Sequence, residues 1–392
     1  MRRFLYAAAA AAVTLASSQA LALDHWMGHQ RALVIMIRWS DAAPAHTVEE
    51  MRETFFGETA SVRDFFLENS AGKFELSGDV MDWRDANQRW NPADGCHLDA
   101  IVGAAWRAFG NDVNIADYDS DHDGKIDNLF IIHSGRIDQD RVGPECTFTD
   151  FDKANHTAVF QTAGLGSVGE AIPIGFYIHE SGHQFFNFPD LYADHYHGKY
   201  GIAMWGMMGL GAWGTYNQTP KADMFRYPSH FEPLSKVTIG WAKPRVVNTT
   251  QHVVLQPVEG TADIVSIPAS AGTNFYLEYR SERGFSKPHL GHGLMIWKNY
   301  ELEQGDGRDD LNHGHDLGFR PLPPIDENFG DATDPFPGTD AVTTFSDPSA
   351  GFKITNITQT DAQVEFDVTF AKGEPRPYTL PIVPQFDGIE RL

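Results

Sequence analysis

His179-Glu180-Ser181-Gly182-His183 holds the residues of this chain best equipped for chemistry. On a helix, residues four apart share a face, so both imidazoles can reach one metal ion. Glu180, one step from the first histidine, then lies where it can take a proton from a zinc-activated water. His179 and His183 are therefore candidate zinc ligands and Glu180 a candidate general base, the minimal set for hydrolysing a peptide bond. A chain with 17 histidines will show accidental i,i+4 pairs. The intervening glutamate and the apolar stretch 172–178 in front of it mark this pair as a helix-borne site.

Such a centre needs a third protein ligand. No glutamate occurs between His183 and Glu232, so a downstream glutamate is not close at hand. Phe188 precedes Pro189 and is biased out of the helical region. The helix should therefore end near Asn187, a residue tolerant of the left-handed conformation, and Asp190 should swing back as the third ligand. Asp194, His195 and His197 are its rivals just beyond. The run Met204-Trp205-Gly206-Met207-Met208-Gly209 either floors the site, with Met208 beneath the metal, or packs as ordinary core. Tyr192, Tyr216 and His230 are candidates to stabilise a developing oxyanion.

A second constellation is the acidic run 117–127. Asp119, Asp121 and Asp123 occupy positions 1, 3 and 5 of an EF-hand-type loop, Gly124 takes the turn at 6, and Asp127 sits at 9. Acids this crowded repel one another unless a hard cation neutralises them. Position 12 is Phe130 rather than a glutamate, so the expectation is a calcium loop feeding a strand, not a true EF-hand.

The remaining sequence must position these groups. Arg2 and Arg3, an apolar run over 4–16 and small residues at 18–22 read as a secretory signal peptide over 1–22. No later run reaches 18 apolar residues, so no membrane span is expected, and the destination is the periplasm or the medium. The 392 residues are 42% hydrophobic and carry 53 acids against 30 bases, a net charge of −23. That balance argues against nucleic acid or an anionic membrane surface as partner. Cys96 and Cys146 are expected to form a disulfide in an oxidising compartment, closing a loop that contributes about 4 kcal/mol in the chain-entropy view.

Residues 31–39 read as a buried strand, 47–56, 61–69 and 98–109 as amphipathic helices, 73–83 as a hairpin around Gly78, and 129–133 as a short strand. The catalytic region 23–244 is thus expected to be α+β. From 245 to 372 short strand-like runs recur at 253–258, 264–268, 275–280, 293–298, 352–357 and 363–370, the last strictly alternating. This β-rich region should pack on the first. Residues 299–340 read as acidic loop, and the tail 373–392 holds four prolines.

Several strings are distinctive: F-Y-I-H-E-S-G-H at 176–183, F-P-D-L-Y at 188–192 and W-G-M-M-G-L-G-A-W at 205–213. With them stand V-R-D-F-F-L-E-N-S-A-G-K-F-E-L-S-G at 62–78, D-Y-D-S-D-H-D-G-K-I-D-N-L at 117–129, G-H-G-L-M-I-W at 291–297 and D-P-F-P-G-T at 334–339. Together they resemble the immune inhibitor A-like secreted zinc metalloproteases of bacteria (peptidase family M-six). The resemblance implies a zincin-type catalytic domain, endopeptidase activity on protein or peptide substrates, His179 and His183 as zinc ligands, Glu180 as base, and bound calcium. The rivals are a non-catalytic, calcium-stabilised exported binding protein that keeps such a fold, and a zinc hydrolase of non-peptide bonds.

Overall fold

A computed structural model of the chain describes residues 26–90, 98–135, 151–161, 174–191, 201–214, 226–269, 273–289, 291–299, 319–322, 330–347 and 350–371. The expected signal segment, Cys96, Cys146, Tyr192, Asp194, His195, His197, Tyr216 and the 373–392 tail lie outside the described residues. The protein is mixed α/β, with several sheets and few helices.

The first half is organised by β1 (Gly28–Arg38), whose residues from Ala32 to Ile37 are fully buried. A strand apolar on both faces belongs in the middle of a parallel sheet, and that is where β1 sits. β2 (Phe74–Asp85), β3 (Ile126–His133) and β4 (Ala154–Gln161) complete it in the order β2-β1-β3-β4, every neighbouring pair parallel. Side chains alternate across such a sheet. Val34, Met36, Phe130 and Ile132 face one core, which α1 (Val48–Phe56), α2 (Val62–Asn69) and α4 (Ile174–Phe186) cover with Met51, Phe55, Phe65, Phe66, Tyr177 and Ile178. Leu33, Ile35, Ile37, Leu129 and Ile131 face the other core, covered by α3 (Leu98–Phe109) through Ile101, Ala105 and Phe109.

Local signals set the helix starts. Thr47 accepts the Glu50 N–H while Glu50 reaches back to the Thr47 N–H, a capping box opening α1. Ser61 accepts the Asp64 N–H and opens α2.

The hairpin expected over 73–83 is not formed. β2 is one continuous strand, and Gly78 lies within it opposite Ala32. A Cβ there would stand 1.9 Å from the Ala32 carbonyl oxygen and 2.8 Å from the Phe56 ring. Gly78 therefore marks a close approach, not a turn. Parallel strands cannot be joined by a tight hairpin, so the first half interleaves helices and strands rather than segregating them.

The second half carries β5 (Arg245–Val246), β6 (Gln251–Leu255), β7 (Ile264–Pro268), β8 (Asn274–Arg280), β9 (Gly293–Asn299), β10 (Phe319–Leu322), β11 (Phe345–Asp347), β12 (Phe352–Gln359) and β13 (Val364–Phe370). They form a five-stranded sheet, β10-β9-β8-β7-β5, and a four-stranded sheet, β11-β12-β13-β6. Val265, Ile267, Phe275 and Leu277 of one pack against Val253, Leu255, Phe352, Ile354, Val364, Phe366 and Val368 of the other. The opposite face of the larger sheet presents Ile264, Tyr276, Met295 and Trp297 to the first half's core, so the two halves share one apolar interior. α5 (Pro233–Thr238) lies at that junction, its Lys236 within 3.8 Å of Glu278 on β8. Among the described residues no helix is long and apolar enough to cross a membrane.

Candidate metal centre

α4 is anchored by its apolar side. Tyr177 packs between Phe55, with ring centroids 4.8 Å apart, and Phe160, at 4.7 Å. His179 and His183 share another face, one turn apart, and Glu180 is half-buried beside them. The helix ends at Phe186 because Asn187 enters the left-handed region at φ 53°. The Asn187 N–H bonds the His183 carbonyl and the Phe188 N–H bonds the Gly182 carbonyl, which satisfies acceptors a helix end would otherwise leave bare. Three residues later Asp190 has turned back over the helix.

The result is a triangle. Asp190 Oδ1 lies 3.2 Å from Nε2 of both His179 and His183, and the two Nε2 atoms are 3.2 Å apart. Tetrahedral ligands at about 2.0–2.1 Å from an ion stand about 3.3 Å from one another, so the three atoms are spaced as a metal tripod. The imidazole orientations are fixed from behind. His179 Nδ1 meets the Met207 carbonyl at 2.8 Å and His183 Nδ1 meets the Phe188 carbonyl at 2.6 Å. A carbonyl can only accept, so Nδ1 carries the proton and Nε2 of each neutral ring turns its lone pair into the triangle.

Three acceptor atoms converging in a mostly buried place are unfavourable unless positive charge lies among them. The electrostatics of the cluster carry that demand. Burial works against a charged His179, yet Asp190 and Glu180 outweigh it and lift the imidazole to about 9. Burial likewise opposes a charged Asp190, but the His179 and His183 imidazoles beside it hold its carboxyl far below the usual range. The preference for a shared proton is one a divalent cation would exploit, and the donor set fits such an ion.

The floor comes from the 203–209 segment. Met208 is fully buried, and its Sδ would stand 2.5 Å from a Cβ on Gly182, between the two histidines in sequence. The Met208 carbonyl accepts the Leu191 N–H at 2.7 Å, so the same turn holds the segment that carries Asp190.

The acidic loop behaves differently from its spacing. Carboxylate oxygens of Asp119, Asp121 and Asp127 lie within 4.8 Å of one another, but Asp123 is not brought into this group. Its carboxylate instead accepts the Lys125 N–H at 2.8 Å and the Asn155 amide at 3.1 Å. Gly124, at φ 87°, makes the sharp turn, its N–H on Asp119 at 2.9 Å. Asp127 is fully buried at the start of β3 and accepts the Ser120 N–H at 2.8 Å.

His230 is not available as an oxyanion donor. It is fully buried, with Nε2 2.6 Å from Glu68 and Nδ1 3.1 Å from Lys236, so both ring nitrogens are engaged. His133 is held neutral by burial, its pKa pushed down to about 3, and its Nδ1 accepts the Gly135 N–H at 3.1 Å. Sequence reasoning missed the buried charges Glu232, Lys236, Glu278 and Arg280 and the half-buried Glu68. The one available signal was charge at core-facing positions of the apolar run N-F-Y-L-E-Y-R, where Glu278 and Arg280 share a face with Tyr276. Compared with known proteins, the chain matches no family model and no curated sequence.

Proposed function

We propose that the chain is a secreted zinc-dependent endopeptidase, with His179, His183 and Asp190 holding the metal and Glu180 acting as general base. The observation that carries the reading is the 3.2 Å triangle of Nε2, Nε2 and Oδ1, presented by a helix on which a glutamate directly follows the first ligand. Two imidazoles and one carboxylate leave a fourth position open, the pattern of catalytic rather than structural zinc. Bound zinc supplies a lowered water pKa and a Lewis acid for the carbonyl oxygen of the scissile bond.

The protein's own groups do the rest. The Met207 and Phe188 carbonyls hold the two rings with Nε2 inward. Asp190 supplies the negative charge that favours a cation there over a bare imidazole pair. The Glu180 carboxylate takes the proton of the attacking water. The motif strings that resemble those of immune inhibitor A-like metalloproteases support peptide bonds as the substrate class, and the 1–22 segment supports export. A calcium ion on Asp119, Asp121 and Asp127 is the companion reading. It would neutralise the loop leading into β3, which is structural because β3 lies inside the parallel sheet.

Casein digestion by the purified mature chain, compared with Glu180→Gln, tests the function. That substitution keeps both histidines and removes the base. The reading expects cleavage by the wild type and a loss of 10²-fold or more in the variant, about the range general bases contribute. Zinc-loaded wild type that leaves casein intact overturns the peptidase, and equal cleavage by both proteins overturns Glu180 as base.

A further inference from the structure

Beneath the 207–208 turn lies a set of buried and half-buried charges that the proposed chemistry does not use. Glu68, at the end of α2, accepts the Phe285 N–H at 3.0 Å and meets His230 Nε2 at 2.6 Å. On the other side of the ring, Lys236 Nζ of α5 stands 3.1 Å from His230 Nδ1 and 3.8 Å from Glu278 on β8. Glu278 is also paired with Arg280 at 2.6 Å. An ammonium only donates, so His230 Nδ1 accepts and its Nε2–H donates to Glu68. The side chains of His230, Lys236 and Glu278 are fully buried.

The backbone beside this ring reaches the metal centre. The His230 carbonyl accepts the Met207 N–H at 3.0 Å, and the Met207 carbonyl accepts His179 Nδ1–H at 2.8 Å. The next residue grips the same stretch: the Phe231 N–H is held by Asn69 Oδ1 at 2.9 Å. Well-packed apolar residues would hold the two halves together as firmly as buried charges do, or more so. Orientation is what a directional relay adds.

We propose that the buried relay Glu68–His230–Lys236–Glu278 positions the His179 imidazole, through the Met207 peptide, and so couples the β-rich half to the metal centre. The inference rests on the reading of His179 as a metal ligand. None of the four residues touches the triangle, and they act as positioning residues only. Outer-shell partners of this kind change metal affinity about 10–100-fold when removed.

The test uses the full mature chain loaded with cobalt(II), reading its visible absorption band and its rate of release to a chelator. Lys236→Met and Glu68→Leu should shift the band and release cobalt about tenfold faster or more. Glu68→Gln should stay close to wild type, because the amide oxygen still accepts from His230 and Phe285. Lys298→Met breaks another buried pair, Lys298–Asp347 at 2.6 Å, away from the relay, and should leave band and rate unchanged. Wild-type band and rate in folded Lys236→Met and Glu68→Leu overturn the inference, as does equal acceleration by Lys298→Met, which would mean general loosening. A wild type that takes up no cobalt overturns the metal reading itself, a separate result.

Discussion

Replacing Gly182 by alanine sets two effects of known sign against each other. Gly to Ala inside a helix ordinarily gains about 0.8–1.0 kcal/mol. Here the new Cβ would meet Met208 Sδ at 2.5 Å, Met208 Cε at 3.2 Å and Phe231 Cε1 at 3.3 Å. Ordinary contacts between such atoms lie at about 3.5–4.0 Å, so the sulfur must retreat by roughly 1 Å. Both Met208 and Phe231 are fully buried, which leaves no solvent side to retreat to. Overpacking of this kind costs about 1–3 kcal/mol, so the net change is a destabilisation of about 0–2 kcal/mol. The displacement is aimed at the Met207–Met208 turn, where the carbonyl that holds His179 Nδ1 sits at 2.8 Å. Moving that acceptor by about 1 Å breaks the hydrogen bond, and zinc affinity should fall about 10-fold or more. Competition with a chromophoric chelator measures the affinity, and thermal melting of the same samples measures stability. A variant that is more stable by about 1 kcal/mol and keeps wild-type zinc affinity would refute the reasoning, because it would show that Met208 yields freely.

Calcium at the 119–127 loop should raise the melting temperature, by an increment equivalent to about 2.7 kcal/mol when calcium is a hundredfold above its dissociation constant. Asp127→Asn should abolish that increment and Asp123→Asn should keep most of it, and identical melting with and without a calcium-selective chelator would contradict the site. The Glu68 carboxyl is raised from 4.5 to about 7, first by burial and against the Phe285 N–H. A raised folded-state pKa gives stability that is complete below 4.5 and is lost as pH climbs through 7, in total about 3 kcal/mol at most. Glu68→Gln should flatten this decline in denaturant titrations between pH 4.5 and 8, and an unchanged slope would show that the group is not buried as described.

What the sequence revealed follows how locally each feature is determined. The helices over 47–56 and 61–69 start at contacts three residues apart, and the alternation of Val364, Phe366 and Val368 is a property of one strand, so both are legible in a single string. The turn at Asn187 that brings Asp190 to the histidines is equally local, set by Asn187 and Pro189. Gly78 misled because a glycine inside a strand and a glycine in a hairpin look alike until the Ala32 carbonyl arrives from the neighbouring strand. Asp123 stands apart from Asp119, Asp121 and Asp127 because Asn155, 32 residues on, engages its carboxylate, a contact no local spacing shows. The buried relay was invisible for the same reason on a larger scale. Its members meet across 162 residues between Glu68 and His230, and a charged side chain reads as solvent-exposed until tertiary packing buries it.

The most direct test of the central claim is metal content after exhaustive dialysis, measured on the mature chain and on Asp190→Ala. The account predicts one tightly held zinc per wild-type chain and little or none in the variant, since removing the Oδ1 corner leaves only the two imidazoles of the triangle. Full zinc retention by Asp190→Ala would contradict it and move the third ligand to the 194–197 segment, and wild type without zinc would remove the metal centre altogether.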